Sequence, residues 1–107
     1  MQAAVRIDPS HAKAHLNIGW VFMHQSRPDE AIEAFRRAAR ARPGYADAWV
    51  NVGTVLEQTH DYQGALEAYQ KAVKAAPEHA TAHYNLGVVL SRLGRLTEAV
   101  EAFRQAV

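Results

Sequence analysis

Three asparagines, Asn17, Asn51 and Asn85, stand 34 residues apart. A carboxamide offers N–H donors and an acceptor oxygen, so one side chain can pair with both the N–H and the C=O of an extended backbone. Repeated at a fixed step, such groups would hold a main chain and leave its side chains largely unread. The same residues can instead cap or pack within the chain's own structure. Two histidine pairs, His11 with His15 and His79 with His83, have a spacing of four. On a helix that spacing turns both imidazoles to one face, as zinc requires. His11 and His79 are expected at or before a helix start, however, and no carboxylate follows at metal-ligand spacing. The histidines are read as core or surface residues, and no metal or other cofactor is implied. Arg36, Arg37, Arg40 and Arg42 could touch phosphates. Glu33 is mixed among them and no aromatic residues are interleaved for base stacking, so they read as a solvated helix face and not as a nucleic-acid site. Ser10, Ser26 and Ser91 have no ordered triad partner. No glycine-rich phosphate loop, nucleophile elbow or acidic pair is present, and no autonomous enzyme activity is expected.

The elements that must carry these residues follow from the same period. Pro9, Pro43 and Pro77 keep the 34-residue step, as do Gly19, Gly53 and Gly87, then Ala31, Ala65 and Ala99, then Phe35, Tyr69 and Phe103. Each unit reads as two helices. From Ala46 to about Thr59, Trp49, Val52, Val55 and Leu56 are spaced for one helical face; from Tyr62 to about Ala75, Leu66, Tyr69, Ala72 and Val73 are spaced likewise. Breaks lie near Pro28, a tolerated first helical residue, near His60–Asp61, and near Gly94, a helix C-cap. A glycine inside a helix costs about 1 kcal/mol relative to alanine, so its return in every unit implies close helix approach. Gly53 is expected to face the small Ala65, with Phe35, Tyr69 and Phe103 filling the seam between neighbouring helices. Neither hairpin buries its apolar face alone, so stacking must supply the core.

This pattern resembles the tetratricopeptide repeat, on Trp49, Val52, Gly53, Leu56, Ala65, Tyr69, Ala72 and Pro77. The resemblance implies an all-α fold, a right-handed α-solenoid of stacked antiparallel helix hairpins, as one domain over 1–107. Repeats are expected at 12–45, 46–79 and, truncated, 80–107, with 1–11 ending a preceding repeat. His15 and His83 stand where the family often has Trp. Gly64 replaces an acidic residue, so that helix start is expected to be loose. Pro28 replaces a bulky residue.

In the family the first helices line a concave groove, and the second helices place the arginine cluster on the convex side. Carried over by position, the groove would be lined by Lys13, Leu16, Asn17, Trp20, Met23 and His24. The second repeat adds Asp47, Val50, Asn51, Thr54, Glu57 and Gln58. The third adds Thr81, Tyr84, Asn85, Val88, Ser91 and Arg92. Asn17, Asn51 and Asn85 are then similar to the asparagine ladder in the repeats of protein O-linked N-acetylglucosaminyltransferases. Trp20 can serve the groove or the packing between repeats. A clamp for the C-terminal carboxylate of chaperones is argued against, because Leu16, Trp20, Thr81 and Asn85 occupy positions where such clamps carry Lys or Arg. The implied function is a scaffold that binds another protein or an extended peptide. The alternative is the substrate-recruiting arm of a larger enzyme such as a glycosyltransferase, or a self-assembling module.

Bulk properties agree with this reading. With 107 residues, a formal charge of +1 and a 49% hydrophobic fraction, the chain suits one ordered domain with no global pull toward nucleic acid or anionic membrane. It has no cysteine. No run approaches the roughly 20 apolar residues that span a bilayer, and the first residues lack the pattern of a signal peptide. A soluble, cytoplasmic protein is expected. Phe103 and Val107 would leave apolar surface where another repeat docks. The chain is therefore expected to be part of a longer array, or to pair through its ends as a homo-oligomer.

Overall fold

A computed structural model of the chain describes residues 9–107. The end of a preceding repeat expected over 1–11 lies mostly outside the described residues. Six helices follow in order: α1 (Pro9–His24), α2 (Pro28–Ala41), α3 (Ala46–Gln58), α4 (Tyr62–Ala75), α5 (Ala80–Arg92) and α6 (Leu96–Ala106). No strand occurs among the described residues. Hairpins α1–α2, α3–α4 and α5–α6 stack through α2–α3 and α4–α5 into a body of 50 × 29 × 18 Å.

The second helices are amphipathic with small residues on their buried stripe. In α2 this is Ala31, Ala34, Phe35, Ala38 and Ala39; in α4 it is Ala65, Leu66, Ala68, Tyr69 and Ala72. The i, i+3, i+4, i+7 spacing gives one face to the core, and the alanines let backbones approach. That core forms three clusters of buried residues, joined through the partly buried Leu16, Trp49 and Leu56. Phe35 of the first hairpin packs in one cluster with Val52, Val55 and Ala68 of the second. Val50 and Tyr69 share another with Val89, Leu90 and Ala99 of the third.

The recurring glycine meets an aromatic ring. A Cβ on Gly53 would lie 2.5 Å from Cε1 of Tyr69. Gly19 and Gly87 stand in the same relation to the rings of Phe35 and Phe103. Each aromatic ring fills a notch in the first helix of its own hairpin. Phe35 and Tyr69 also reach the next hairpin, in the clusters with Val52 and Val55 and with Val89 and Leu90, so they fill the seam between neighbouring helices as expected.

Each hairpin turns through the same hydrogen-bond pattern. The Arg27, Asp61 and Arg95 N–H groups donate to the carbonyls of Phe22, Leu56 and Leu90, at 2.9, 2.8 and 2.9 Å. The residue before each has positive φ: Ser26 at 59°, His60 at 68° and Gly94 at 80°. This is the Schellman closure, which satisfies carbonyls at a helix end. Between hairpins, Arg42 and Ala76 precede proline and are extended, with ψ of 94° and 86°. A residue before proline avoids the helical region, and α2 and α4 stop there. Pro43 and Pro77 lie in loops between helices, and His11 lies within α1, which is described from Pro9.

The start of α4 is firmly held, contrary to the loose start expected from Gly64. The Asp61 carboxylate accepts from the Gly64 N–H at 2.9 Å, and a Cβ at Gly64 would lie 2.7 Å from that carboxylate. In the flanking repeats the same two positions hold Arg27 with Glu30 and Arg95 with Glu98, paired by Nε and Nη2 at 2.5 to 2.8 Å.

The two end faces of the stack are uncovered. Val21 on α1 is 54% exposed, whereas its repeat counterparts Val55 and Val89 are 1% and 0% exposed. Ile18 is exposed beside Val21, and Leu96 and Val100 are exposed along α6, with Val107 exposed just after it.

Candidate functional site: the inner row of first helices

α3 touches α5, whereas α1 with α3, α2 with α4 and α4 with α6 make no comparable contact among the described residues. The first helices α3 and α5 thus lie on the inner side, and α1 holds the equivalent place in its hairpin by the repeat. Asn17, Asn51 and Asn85 occupy equivalent positions on α1, α3 and α5. Asn17 is exposed and the other two are partly buried. None of the three carboxamides has a hydrogen-bond partner among the described residues. Their donors and acceptors are thus uncommitted, although their neighbours on the row are heavily used.

Beside the ladder, the first repeat offers apolar surface. Trp20 is 40% exposed, stacks on His24 with ring centroids 6.0 Å apart, and sets its edge against Phe35 at 6.4 Å. Lys13 is exposed. Leu16 and Met23 are partly buried, packed against the clusters at the first junction, so each contributes to stacking as well as to the row.

The second and third repeats spend their polar groups on one another. The Tyr69 hydroxyl donates to Glu57 Oε1 at 2.8 Å, and Arg92 Nε donates to Glu57 Oε2 at 3.0 Å. The Arg92 guanidinium also lies 5.7 Å from the centre of the Tyr62 ring. Burial pushes the Tyr69 phenol well above its usual range, and the Glu57 carboxylate adds to the effect. Tyr69 therefore stays a hydrogen-bond donor at any ordinary pH. Thr54 donates Oγ1 to the Val50 carbonyl at 3.0 Å and lies 3.5 Å from the Tyr69 hydroxyl. Asp47 Oδ1 is 2.7 Å from His79 Nε2. Because His79 Nδ1 accepts from the Ala82 N–H at 3.2 Å, the ring proton sits on Nε2 and points to Asp47.

Val50 departs from its expected lining role: it is 7% exposed and belongs to the core at the second junction. Its counterpart Tyr84 is exposed and rests against Phe103 at 5.6 Å, on the hairpin that has no neighbour stacked on it. Val88 is partly buried; Gln58, Thr81, Ser91 and Arg92 are exposed. Gln58 makes no side-chain hydrogen bond among the described residues.

The other sets have local partners. His83 Nε2 meets the Pro77 carbonyl at 2.7 Å, so His79 and His83 are both engaged within the chain. No group of three or more metal-ligating side chains occurs among the described residues. Arg37 and Arg40 pair with Glu33 at 3.1 and 3.4 Å, and Arg42 covers the Tyr45 ring at 4.5 Å. The Arg37 guanidinium holds the Glu33 carboxyl below its usual range. No described helix is long and apolar enough to cross a membrane.

One feature of the row was not foreseen from the sequence. A cavity of about 300 Å³ opens between the turn after α1 and the end of α3, lined by Met23, Ser26, Arg27, Pro28, Val55, Gln58 and Thr59. The signal for it was Pro28, which stands in register with Tyr62.

Comparison with known proteins agrees with this geometry. A crystal structure of MamA superposes with a TM-score of 0.83 at 29% identity, covering 92% of this chain and 58% of that one. The chain thus spans a little over half of that relative. The second repeat domain of Spaghetti (RPAP3), bound to the HSP90 peptide SRMEEVD, gives 0.84 at 21% identity, covering 92% and 91%. The first repeat domain of the same protein, with the same peptide, gives 0.87 at 20% identity, covering 95% and 81%. No curated protein matches in sequence. The family model described as Tetratricopeptide repeat matches residues 1–46 and 53–107. With the repeat period, the six-helix stack and these matches together, the chain belongs to the tetratricopeptide repeat family.

Proposed function

We propose that the chain holds an extended segment of another polypeptide along the inner row, with Asn17, Asn51 and Asn85 pairing to its backbone. The observation that carries this reading is the set of three carboxamides, in register on successive inner helices and without partners among the described residues. Peptide binding by the RPAP3 repeat domains is consistent with use of this fold for such a task. Their peptide ends in acidic residues, whereas the row here mixes Lys13 and Arg92 with Asp47 and Glu57, and Arg92 is already tied to Glu57. The partner segment is therefore held mainly by its backbone and by apolar contact with Trp20.

The test is Asn51→Ala, assayed by calorimetry against a partner segment captured on the wild-type chain. Two lost hydrogen bonds predict roughly tenfold weaker binding, with the thermal midpoint unchanged because the Asn51 side chain makes no hydrogen bond among the described residues. Unaltered affinity would remove the ladder from the mechanism.

A second reading rests on the end faces. The α1 surface around Ile18 and Val21 corresponds to the surface that α3 and α5 bury at the two internal junctions. The α6 surface around Leu96 and Val100 corresponds to the one that α2 and α4 offer there. A second copy can dock head to tail by repeating the junction the chain makes twice with itself.

A further inference from the structure

The cavity at the first junction has a counterpart that the chain itself fills. One repeat later, its lining positions Met23, Ser26, Pro28 and Gln58 become Glu57, His60, Tyr62 and Arg92. There the Tyr62 ring packs against the core cluster, lies under the Arg92 guanidinium at 5.7 Å, and places its hydroxyl 3.0 Å from His60 Nδ1. At the first junction Pro28 holds the same place at the first turn of its helix but is too short to cover the gap. About 300 Å³ remains open, the lower end of ligand-sized pockets.

We propose that this cavity receives a tyrosine side chain from the bound polypeptide. Its wall of Met23, Val55 and Pro28 is apolar, and a thioether packs well against an aromatic ring. Ser26 holds the repeat position of His60, whose Nδ1 meets the Tyr62 hydroxyl, and lines the cavity with a hydroxyl of its own. Gln58 takes the place of the guanidinium above the ring, and its amide has no side-chain partner among the described residues. Arg27, which also lines the cavity, is occupied by Glu30 and by the Phe22 ring at 5.1 Å, leaving the ring site free of a competing cation. Met23 and Gln58 border both the cavity and the inner row, so a segment lying on the ladder can drop one side chain into it. The inference rests on the groove reading for the source of the tyrosine, but the pocket is testable without a partner.

The experiment titrates N-acetyl-tyrosinamide into the full chain and follows the methyl signals of Met23 and Val55 by NMR. Met1 is the only other methionine, so the Met23 signal is readily assigned. Saturable shifts confined to the cavity are expected, at least several-fold weaker with N-acetyl-leucinamide. Pro28→Tyr, which copies the second repeat and fills the cavity, should abolish them. Pro28→Phe, which fills the same space without the hydroxyl, should do the same if the first variant does not fold. Shifts that fail to saturate, that are equal for the leucine probe, or that persist in a folded filled variant overturn the pocket. Replacing Asn17, Asn51 and Asn85 together by alanine should leave the probe's shifts intact. Loss of peptide binding in that variant, or its retention, therefore judges the ladder separately from the pocket.

Discussion

At the scale of single residues, the glycine–aromatic pair decides how closely each hairpin closes. The Tyr69 ring occupies the volume that any side chain at Gly53 would need, and the ring cannot retreat because its hydroxyl is bonded to Glu57. Gly53→Ala should therefore destabilise the fold by about 1–3 kcal/mol, the cost of overpacking a filled core. This is the opposite of the gain that alanine's helix propensity alone would give. Urea denaturation of the two proteins measures the difference, and a variant as stable as wild type would show that the notch can widen. The recurrence of glycine was legible in the sequence; its partner was not. A period of 34 states that residues 53 and 69 recur together but carries no register between the two helices of a hairpin. The same limit explains Val50. Its position on the inner helix was read correctly, but whether it faces the groove or the next hairpin depends on how that hairpin leans.

At the scale of the element, the second helices are started by either of two interchangeable devices. α2 and α6 use an Arg–Glu pair, whereas α4 uses Asp61 as an N-cap over a glycine. An N-cap of this kind contributes about 1 kcal/mol. The two devices share positions and exclude each other, because a side chain at residue 64 would crowd the Asp61 carboxylate. Gly64→Glu alone should therefore cost about 1 kcal/mol, despite restoring an acidic residue at a helix start, and Asp61→Arg alone should cost a similar amount. The double variant should recover most of the loss, which a double-mutant cycle in denaturant resolves as coupling. Strict additivity of the two losses would reject the exchange. The sequence contains both residues of the device, three apart, but the family pattern sets residue 64 beside its acidic counterparts and not beside residue 61. The turns were half legible for a related reason. Gly94 announced its left-handed backbone, whereas Ser26 and His60 adopt the same conformation without a residue type that advertises it.

At the scale of the whole molecule, the fold was readable because one period governs prolines, glycines, alanines and aromatics alike. Hairpin boundaries, helix order and the equivalent places of the three asparagines on the first helices follow from that arithmetic; that these helices line a groove is what the family resemblance implies. The differences between junctions do not. The second is tied by Tyr69, Glu57, Arg92 and Tyr62, while the first has Met23, Gln58 and Pro28 at the matching places and keeps a cavity. Such contrasts arise where the repeat is broken, and become visible only once two helices are brought together. The end faces belong to this scale as well. Sedimentation velocity across a range of concentrations should show reversible association that weakens in Val21→Asp, a change that places a charge on the α1 face. A strictly monomeric profile for the wild-type chain at high concentration would eliminate the head-to-tail contact.

Those two faces differ from each other, and each copy would carry one of each. Assembly through them is a step-growth polymerisation of a bifunctional monomer, with no built-in stopping length. The Val21→Asp chain keeps its α6 face and loses its α1 face, so it would act as a chain stopper. Its mole fraction in a mixture would then set the mean length of the polymer.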